Sequence, residues 1–355
     1  MTERPRVLQM GPDPRIGGGM AAVLRGLLES PLATRFELEV DSTYRGPARL
    51  DGIVVFAAAL VRLAVWSLRG RGRIVHIHAT VRGSSYRKAI CVILAKVLRR
   101  RVVLQMHSGA GDIAAFAGGR GRIDLMALRR AFGLADRVLA VSAASAAALS
   151  RAYALEDIVV VPNPAPPVVA LERSATEPDD PIEAVFLGGF ANPAKGGDVM
   201  LASAAIASAR DPRLRLILAG PGELPAAGAE LVARGRVEWA GWLDARRKDE
   251  VLRRSRIFVM SSRSEGLPMA LLEAMSYGLA IVATDVGGIS EVAGSGEEAL
   301  LVPGEDPEAL ATALCALAED ADLRGRLAAA ATEKAAGLSG GVVAESIAAV
   351  YESLL

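Results

Sequence analysis

Short apolar runs alternate with longer helix-like stretches along most of the chain. In the first half, the runs that favour strands lie at 6–10, 36–40, 74–78, 102–107, 137–141 and 158–161. The stretches that favour helices lie near 20–29, 53–69, 84–99, 122–134 and 143–151. Strands that alternate with helices build a mostly parallel sheet covered by helices on both faces. This order predicts an α/β fold.

A cluster of prolines interrupts the alternation. Its members are Pro162, Pro164, Pro166, Pro167, Pro178 and Pro181. Neither a helix interior nor an inner strand tolerates proline, because its ring fixes φ and removes the backbone N–H. The pattern then restarts, with strands expected at 183–187, 214–219, 237–239, 257–260 and 281–283 and a helical tail over 307–355. We therefore predict a first domain at 1–170, a second at 171–338, and a C-terminal helix at 339–355 whose return to the first domain stays open.

The length and composition agree with two folded domains. The chain has 355 residues, more than one hydrophobic core usually serves, and 52% of them are hydrophobic types, which excludes a disordered chain. Two doubly wound, Rossmann-like units joined by a proline-rich hinge are expected to face a central cleft, with ligands beyond the carboxyl ends of the strands. Two cysteines, Cys91 and Cys315, are too few for a disulfide framework. With no visible signal peptide, this predicts a cytoplasmic protein.

The overall net charge of +1 is a cancellation between the two halves. Residues 1–170 contain 24 basic and 12 acidic residues, a net charge of +12. Residues 171–355 contain 17 basic and 28 acidic residues, a net charge of −11. A basic half favours an anionic substrate or membrane surface, although two differently charged solvated faces would give the same count.

One apolar segment raises the question of a membrane. Residues 53–68 are apolar except for Arg62 and Ser67, but 16 residues are too few for a span, which favours a buried helix. Arginines follow this segment and the next predicted helix: Arg69, Arg71, Arg73, Arg99, Arg100 and Arg101. They leave peripheral attachment to an anionic membrane, at its inner face, as a further option.

The most informative motif is SEGLPMALLEAM at 264–275. It places Glu265 in the loop after the strand at 257–260, and Glu273 two turns into the helix that Pro268 is expected to start. Free N–H groups at a helix start suit a diphosphate. One carboxylate can meet a sugar hydroxyl and the other a second polyol. A solvated glutamate beside an ordinary helix cap is the alternative.

The segment resembles the E-x7-E motif of the retaining glycosyltransferases of the GT-B fold, family 4 (group 1). The similarity continues downstream at Gly278, 282–284, Gly287, Gly288 and Glu291. Further matching positions follow one another along nearly the whole chain: 17–19, His107, 140–142, 161–163, 186–188, Lys195, Gly196, 218–222 and Gly241. Each is weak alone, and their shared order makes chance similarity improbable.

The resemblance implies a role for each matching position of the second domain. Glu265 would hold hydroxyls of the donor sugar, and Glu273 would accept hydrogen bonds from the ribose. Backbone groups around Gly266, Leu267 and Pro268 would hold the distal phosphate. Lys195, beyond Gly188, would offset the charge that develops on the leaving diphosphate. A solvated surface lysine is the alternative for Lys195.

In the first domain, the glycine loop with Gly18 and Gly19 lies between a predicted strand and helix, so its backbone can approach a phosphate. His107 would contact the donor sugar near the reacting carbon, and a core histidine is the alternative. His76 and His78 are predicted to face opposite sides of one strand, at least one with a structural role. No metal site is expected.

One position departs from the family pattern. Members typically have an arginine after the glycine that Gly188 matches, a second cation for the diphosphate, and this chain has Gly189 there. Arg15, Arg247 or Arg263 would have to replace it, or donor binding is weakened.

The resemblance implies a retaining transfer from a nucleoside-diphosphate sugar to an acceptor hydroxyl, without a cofactor. The expected acceptor is a glycan or lipid-linked saccharide of bacterial polysaccharide or cell-envelope synthesis, with no nucleic acid as partner. Two alternatives remain open: a nucleotide-sugar 2-epimerase of the same architecture, and a non-catalytic protein that binds nucleotide sugars or serves as a scaffold.

Overall fold

The computed structural model describes residues 4–44, 49–69, 72–81, 83–171 and 180–355. Pro178 and Arg71, which the sequence analysis singled out, lie outside these residues. The chain divides into two compact units, one of residues 1–164 and 338–355 and one of residues 165–337. The first change of unit therefore falls within the proline cluster, six residues before the boundary predicted from the sequence.

The first unit contains a parallel six-stranded sheet. Its strands are β1 (Arg6–Pro12), β2 (Glu37–Tyr44), β3 (Gly72–Ala79), β4 (Arg101–Met106), β5 (Arg137–Ala140) and β6 (Val159–Val160). Their order across the sheet is β2-β1-β3-β4-β5-β6. The strand order reverses between β1 and β3, and doubly wound sheets bind ligands beside such a reversal.

Seven helices of the first unit connect these strands in the described part of the chain. They are α1 (Gly19–Glu29), α2 (Leu32–Arg35), α3 (Arg49–Leu68), α4 (Gly83–Val97), α5 (Ala110–Gly118), α6 (Arg122–Phe132) and α7 (Ala143–Tyr153). The sequence did not predict α2 and α5. The first is a single turn, and the second, AGDIAAFAG, has too few large apolar residues to show a helical period.

Helix α3 is buried on one side and exposed on the other, so it is a buried helix, as predicted, only on the side that faces the sheet. Leu63 and Trp66 are buried against the sheet, whereas Val61 and Leu68 are exposed. The charge inside the segment has a partner, because Arg62 forms an ion pair of 2.6 Å with the buried Asp41. In the part of the chain that the structure describes, none of the helices combines the length and the apolar character that a membrane span requires.

The second unit contains another parallel six-stranded sheet, in the order β12-β11-β10-β7-β8-β9. Its strands are β7 (Ile182–Phe186), β8 (Leu214–Ala219), β9 (Val237–Gly241), β10 (Ile257–Met260), β11 (Ala280–Thr284) and β12 (Ala299–Val302). This is the doubly wound order of nucleotide-binding sheets, with the reversal between β7 and β10. The sequence analysis missed the short edge strand β12.

The helices of the second unit are α8 (Gly197–Arg210), α9 (Ala226–Ala233), α10 (Ala245–Arg254), α11 (Met269–Ser276), α12 (Ile289–Val292), α13 (Pro307–Glu319) and α14 (Ala321–Gly337). The predicted helical tail is therefore not continuous. It contains α13, α14 and a last helix, α15 (Gly340–Glu352), which belongs to the first unit.

Helix α15 is anchored to the first unit by its last turns. The fully buried Tyr351 accepts a hydrogen bond of 2.8 Å from Gln9 Nε2 on β1, and its ring packs edge-on against Phe36. At the surface, Arg35 forms ion pairs with Glu345 and Glu352. The chain end is thus part of the core of the first unit.

Candidate functional site

Two loops meet at the strand reversal of the second unit. Lys195 lies in the segment after β7, and Glu265 lies in the loop after β10. Lys195 Nζ donates a 2.7 Å hydrogen bond to Glu265 Oε1, and Ser262 Oγ donates one of 2.6 Å to the same oxygen. Glu265 is only 7% exposed, so its charge needs these partners. The structure thus brings together two of the three predicted catalytic residues.

Gly287 allows the Glu265 loop to adopt this position. Its φ of +63° favours glycine, and a Cβ built there would lie 1.8 Å from the carbonyl oxygen of Glu265. The neighbouring Gly288 N–H donates a 3.0 Å hydrogen bond to Gly266 O. The loop after β11 therefore supports the backbone of the loop that carries the glutamate.

Helix α11 follows directly and carries the second glutamate. Pro268 is the cap residue and stands one position before the helix, rather than in its first turn as predicted. Leu267 is buried beside it. The first N–H groups of a helix have no acceptor within that helix and can bind an anion. Glu273, on the same helix, accepts a 2.6 Å hydrogen bond from Lys248 Nζ of α10.

The sequence analysis missed Lys248. It stands among other charged residues in ARRKDEVLRR, and nothing in that pattern distinguishes it from its neighbours. Its contact joins two helices that are distant in sequence. Only the packing of α10 against α11 reveals that each motif glutamate has its own lysine.

The loop after β7 lies against the loop after β8. Gly189 N–H donates a 2.9 Å hydrogen bond to Ala219 O, and Phe190 N–H donates one of 2.8 Å to Pro221 O. Gly189 has a φ of +62°, and a Cβ at this position would lie 2.4 Å from Pro221 O. Side chains are therefore excluded from position 189 by its own backbone geometry.

Two of the three arginines considered as replacements have acidic partners of their own, and the side chain of the third is exposed. Arg263 is engaged by Asp198 and Glu305, at 2.7 Å each, and these hydrogen bonds raise its pKa. Arg247 uses its backbone N–H to cap α10 on Asp244, and its side chain is exposed. Arg15 belongs to the first unit and pairs with Asp13.

In the first unit, the glycine loop has the predicted position between β1 and α1. Gly18 caps α1 with a φ of +122° and, having no side chain, accepts no side-chain hydrogen bond from the first amides of the helix. A Cβ on Gly18 would meet nothing within 4 Å. The loop is therefore open enough for a ligand, while its role in binding a donor stays a prediction.

His107, directly after β4, is half-buried and contacts a chain of buried polar groups. Its Nε2 lies 3.0 Å from His78 Nδ1, and His78 Nε2 lies 2.8 Å from Gln9 Oε1. The same Gln9 donates to Tyr351, whose hydroxyl lies 2.7 Å from His76 Nδ1. His107 Nδ1 is also buried. Both ring nitrogens of His107 therefore face the protein in this structure, so its contact with a donor stays a prediction.

The expectation that His76 and His78 face opposite sides of β3 was wrong. Residues two positions apart in a strand share a face, and the two rings stack with centroids 4.3 Å apart. Burial lowers the pKa of His76 to about 3 and that of His107 to about 4. All three histidines of the chain are thus neutral at pH 7. Within the described residues, no group of His, Cys, Asp and Glu side chains could hold a metal ion.

Two family models match the chain. The model described as Glycosyltransferase Family 4 matches residues 30–167, and the one described as Glycosyl transferases group 1 matches residues 181–320. The chain belongs to the family 4 glycosyltransferases. The E-x7-E segment, the Lys195 segment and the glycine after β11 all lie within the second match.

Curated relatives resemble the chain over part of their length. Phosphatidyl-myo-inositol mannosyltransferase of Mycolicibacterium smegmatis is 31% identical over 174 residues, which cover 48% of this chain and 45% of that protein. D-inositol 3-phosphate glycosyltransferase of Nocardia farcinica is 31% identical over 242 residues, which cover 62% and 53%. The chain thus spans about half the length of the curated relatives it matches.

Solved structures match the fold over nearly the whole chain. Sucrose-phosphate synthase from Thermosynechococcus elongatus has a TM-score of 0.77 at 19% identity, with 99% of each chain covered. Anabaena HepE, in complex with UDP and glucose, has a TM-score of 0.73 at 17% identity and covers 99% of this chain and all 100% of its own. The predicted GT-B fold with two Rossmann-like domains is confirmed.

Introducing the arginine of the family pattern at position 189 should destabilise the folded protein. We expect Gly189→Arg to lower the free energy of unfolding by roughly 2–4 kcal/mol, from left-handed strain and the clash with Pro221 O. Gly235→Arg is the matched control, because Gly235 has a φ of +67° with nothing within 4 Å of its Cβ, so strain acts alone. Urea unfolding measures both. Equal losses would show that the Pro221 contact is unimportant.

We expect the protein to lose stability on mild acidification, because its histidines are held neutral by burial. Their pKa values are lowered in the folded protein, so the unfolded chain takes up protons first, below its ordinary histidine pKa of about 6.5. Stability is therefore complete above pH 6.5 and declines as the pH falls. Between pH 7 and pH 5 we expect a loss on the order of 2 kcal/mol per histidine. Urea titrations at both pH values measure it.

The control for this pH effect is His107→Asn, which should reduce the loss by about one histidine's share. A free energy of unfolding that stays constant between pH 7 and pH 5 would show that the histidines are not held neutral by burial.

Proposed function

We propose that this protein is a retaining glycosyltransferase that moves a sugar from a nucleoside-diphosphate donor to an acceptor hydroxyl. The observation that carries the proposal is the Lys195–Glu265 pair at the strand reversal of the second unit, directly before a helix that presents Glu273. A cation paired with one carboxylate thus directly precedes a helix whose N-terminus is followed by a second carboxylate. Nucleotide ligands of doubly wound sheets bind at such positions.

The groups of this site suit the parts of a nucleotide sugar. The distal phosphate would bind at the N-terminus of α11, and Lys195 would neutralise the charge that develops on the leaving diphosphate. Glu265 would accept hydrogen bonds from hydroxyls of the sugar, and Glu273 from those of the ribose. Gly18, Gly19 and His107 of the first unit keep their expected roles at the donor as part of this proposal.

We do not assign Glu265 as a nucleophile. Its Oε1 accepts hydrogen bonds from both Lys195 and Ser262, and such bonds stabilise a carboxylate charge and reduce its reactivity. Retention would instead follow from attack on the same face as the leaving phosphate. In this mechanism the protein holds the donor and stabilises charge without forming a covalent intermediate.

The acceptor we propose is an anionic polyol or saccharide of bacterial cell-envelope synthesis. Three relatives are named as a phosphatidyl-myo-inositol mannosyltransferase, a D-inositol 3-phosphate glycosyltransferase and the lipopolysaccharide core mannosyltransferase LpsB of Rhizobium meliloti. The net charge of +12 over residues 1–170 would attract such an acceptor. HepE binds UDP-glucose in its solved complex, which makes this donor the first to test.

Two other functions make different predictions in the same assay. A 2-epimerase would release no nucleoside diphosphate in proportion to an acceptor product. A scaffold protein would bind nucleotide sugars without turnover. Acceptor-dependent release of free nucleoside diphosphate supports transfer alone.

We expect Glu265→Gln to reduce kcat/KM by about a hundredfold or more, because removing one preorganised charge contact at a reacting centre has effects of this size. Glu250→Gln, on the exposed face of α10, is the control and should keep full activity. Release of nucleoside diphosphate measures turnover, and circular dichroism shows that both variants fold. An active Glu265→Gln enzyme would refute this site.

The basic half also carries an apolar surface that supports attachment to an anionic membrane. Helices α3 and α4 pack together, and each exposes large aliphatic side chains, among them Leu68 at 75% and Val97 at 72% exposure. Exposed arginines border these helix ends: Arg69, Arg73, Arg99 and Arg101. Apolar insertion and about 1 kcal/mol per basic residue would act together.

Vesicle co-sedimentation measures this attachment. Leu68→Glu combined with Val97→Glu should greatly reduce binding to vesicles that contain phosphatidylglycerol, whereas Val342→Glu, at an exposed position of α15, should not. Binding should weaken with salt. Sedimentation that is independent of anionic lipid would contradict the proposal.

A further inference from the structure

We propose that Lys248, which pairs with Glu273, is a donor-binding residue that supplies the second cation for the diphosphate. The inference rests on the proposed function and identifies a residue that the family motif does not contain. Three observations support it: the ion pair between Lys248 and Glu273, the lack of space for a side chain at position 189, and the short distance of Glu273 from the start of α11.

The contact is the ion pair between Lys248 Nζ and Glu273 Oε1, at 2.6 Å. The lysine side chain is 35% exposed and the glutamate side chain 17%. The pair is therefore open to a ligand on one side and protected on the other. An ammonium group has three hydrogen-bond donors, and a carboxylate has two acceptor oxygens, so each partner retains capacity for a ligand.

Steric exclusion prevents an arginine, the usual second cation of the family, from occupying position 189. Position 189 accepts no side chain, because its Cβ would collide with Pro221 O. Arg263 directs its guanidinium to Asp198, Glu305 and Pro193 O. Among the described residues, the basic side chains that contact the two motif glutamates are Lys195 and Lys248. Lys248 of α10 therefore takes the place in charge of the arginine that is missing from the loop after β7.

The distance along α11 makes this replacement feasible. Glu273 is the fifth residue of the helix, so it lies about 6 Å along the axis from Met269 at a rise of 1.5 Å per residue. A lysine ammonium on its flexible four-carbon stem can move through a comparable distance. Lys248 can therefore reach from the ribose end of the site toward an anion at the helix start without a backbone change.

The alternative is an ion pair that only joins α10 to α11. The structure offers a matched comparison, because Tyr277, the residue directly after α11, donates a 2.6 Å hydrogen bond through its hydroxyl to Asp249 Oδ1 of α10. Tyr277→Phe removes an interhelical bond and leaves the charge beside Glu273 unchanged. A structural role predicts similar behaviour of the two variants, and a donor-binding role predicts different behaviour.

The test compares Lys248→Met, Lys248→Arg and Tyr277→Phe with the unmodified protein by calorimetry. The probes are UDP, UMP and uridine, together with GDP, GMP and guanosine. For Lys248→Met we expect the affinity for the bound diphosphate to fall roughly tenfold to a hundredfold, the loss of a charge-assisted hydrogen bond. The loss should be smaller for the monophosphate and negligible for the nucleoside. Lys248→Arg should recover most of the affinity, and Tyr277→Phe should bind normally.

In turnover, Lys248→Met should raise the donor KM more than it lowers kcat. Unchanged diphosphate binding by Lys248→Met would overturn the inference, as would an equal loss for diphosphate and nucleoside, which marks a structural effect. If one of these two results is obtained and the unmodified protein still turns over donor, only the inference about Lys248 fails and the proposed function survives. If it binds neither nucleotide series, both proposals fail together.

Discussion

The second unit is organised around a buried carboxylate that must not be left unpaired. Glu265 lies at the reversal of strand order, where the loops after β7 and β10 meet, and it accepts hydrogen bonds from Lys195 of one loop and Ser262 of the other. Removing one partner from a buried charge is far more costly than losing an exposed ion pair. The carboxylate therefore ties the two loops together, and under the proposed function the same groups would also contact the donor.

Close backbone contact explains why the cations of this site are arranged as they are. The loops after β7 and β8 approach so closely that Gly189 meets Pro221, which leaves no room for an arginine side chain. The β7 loop is held by main-chain hydrogen bonds instead. Because this loop has no room for a basic side chain at position 189, a second cation would have to come from another element. Helix α10 has such a cation, Lys248, beside Glu273.

Periodicity and motif spacing predicted eleven of the strands approximately, the two-unit organisation of the sheets, and both motif glutamates. They missed what depends on packing. The edge strand β12 is four residues long and follows a turn, so its apolar run resembles many others. Lys248 acquires its role only through a contact between helices. The expectation for His76 and His78 failed because the strand period was applied wrongly, although the sequence contained the information.

The acidic charge of the second half affects how its proposed site could bind a diphosphate. Residues 171–355 carry a net charge of −11, which should repel a diphosphate. At physiological ionic strength, however, charges beyond about 8 Å are largely screened, so the acidic surface matters less than the groups beside the ligand. There the two glutamates are each matched by a lysine, and the local charge is close to zero before any ligand arrives. In the proposed donor site, the amides at the start of α11 would then favour an anion, and loss of either lysine would leave a net negative charge there.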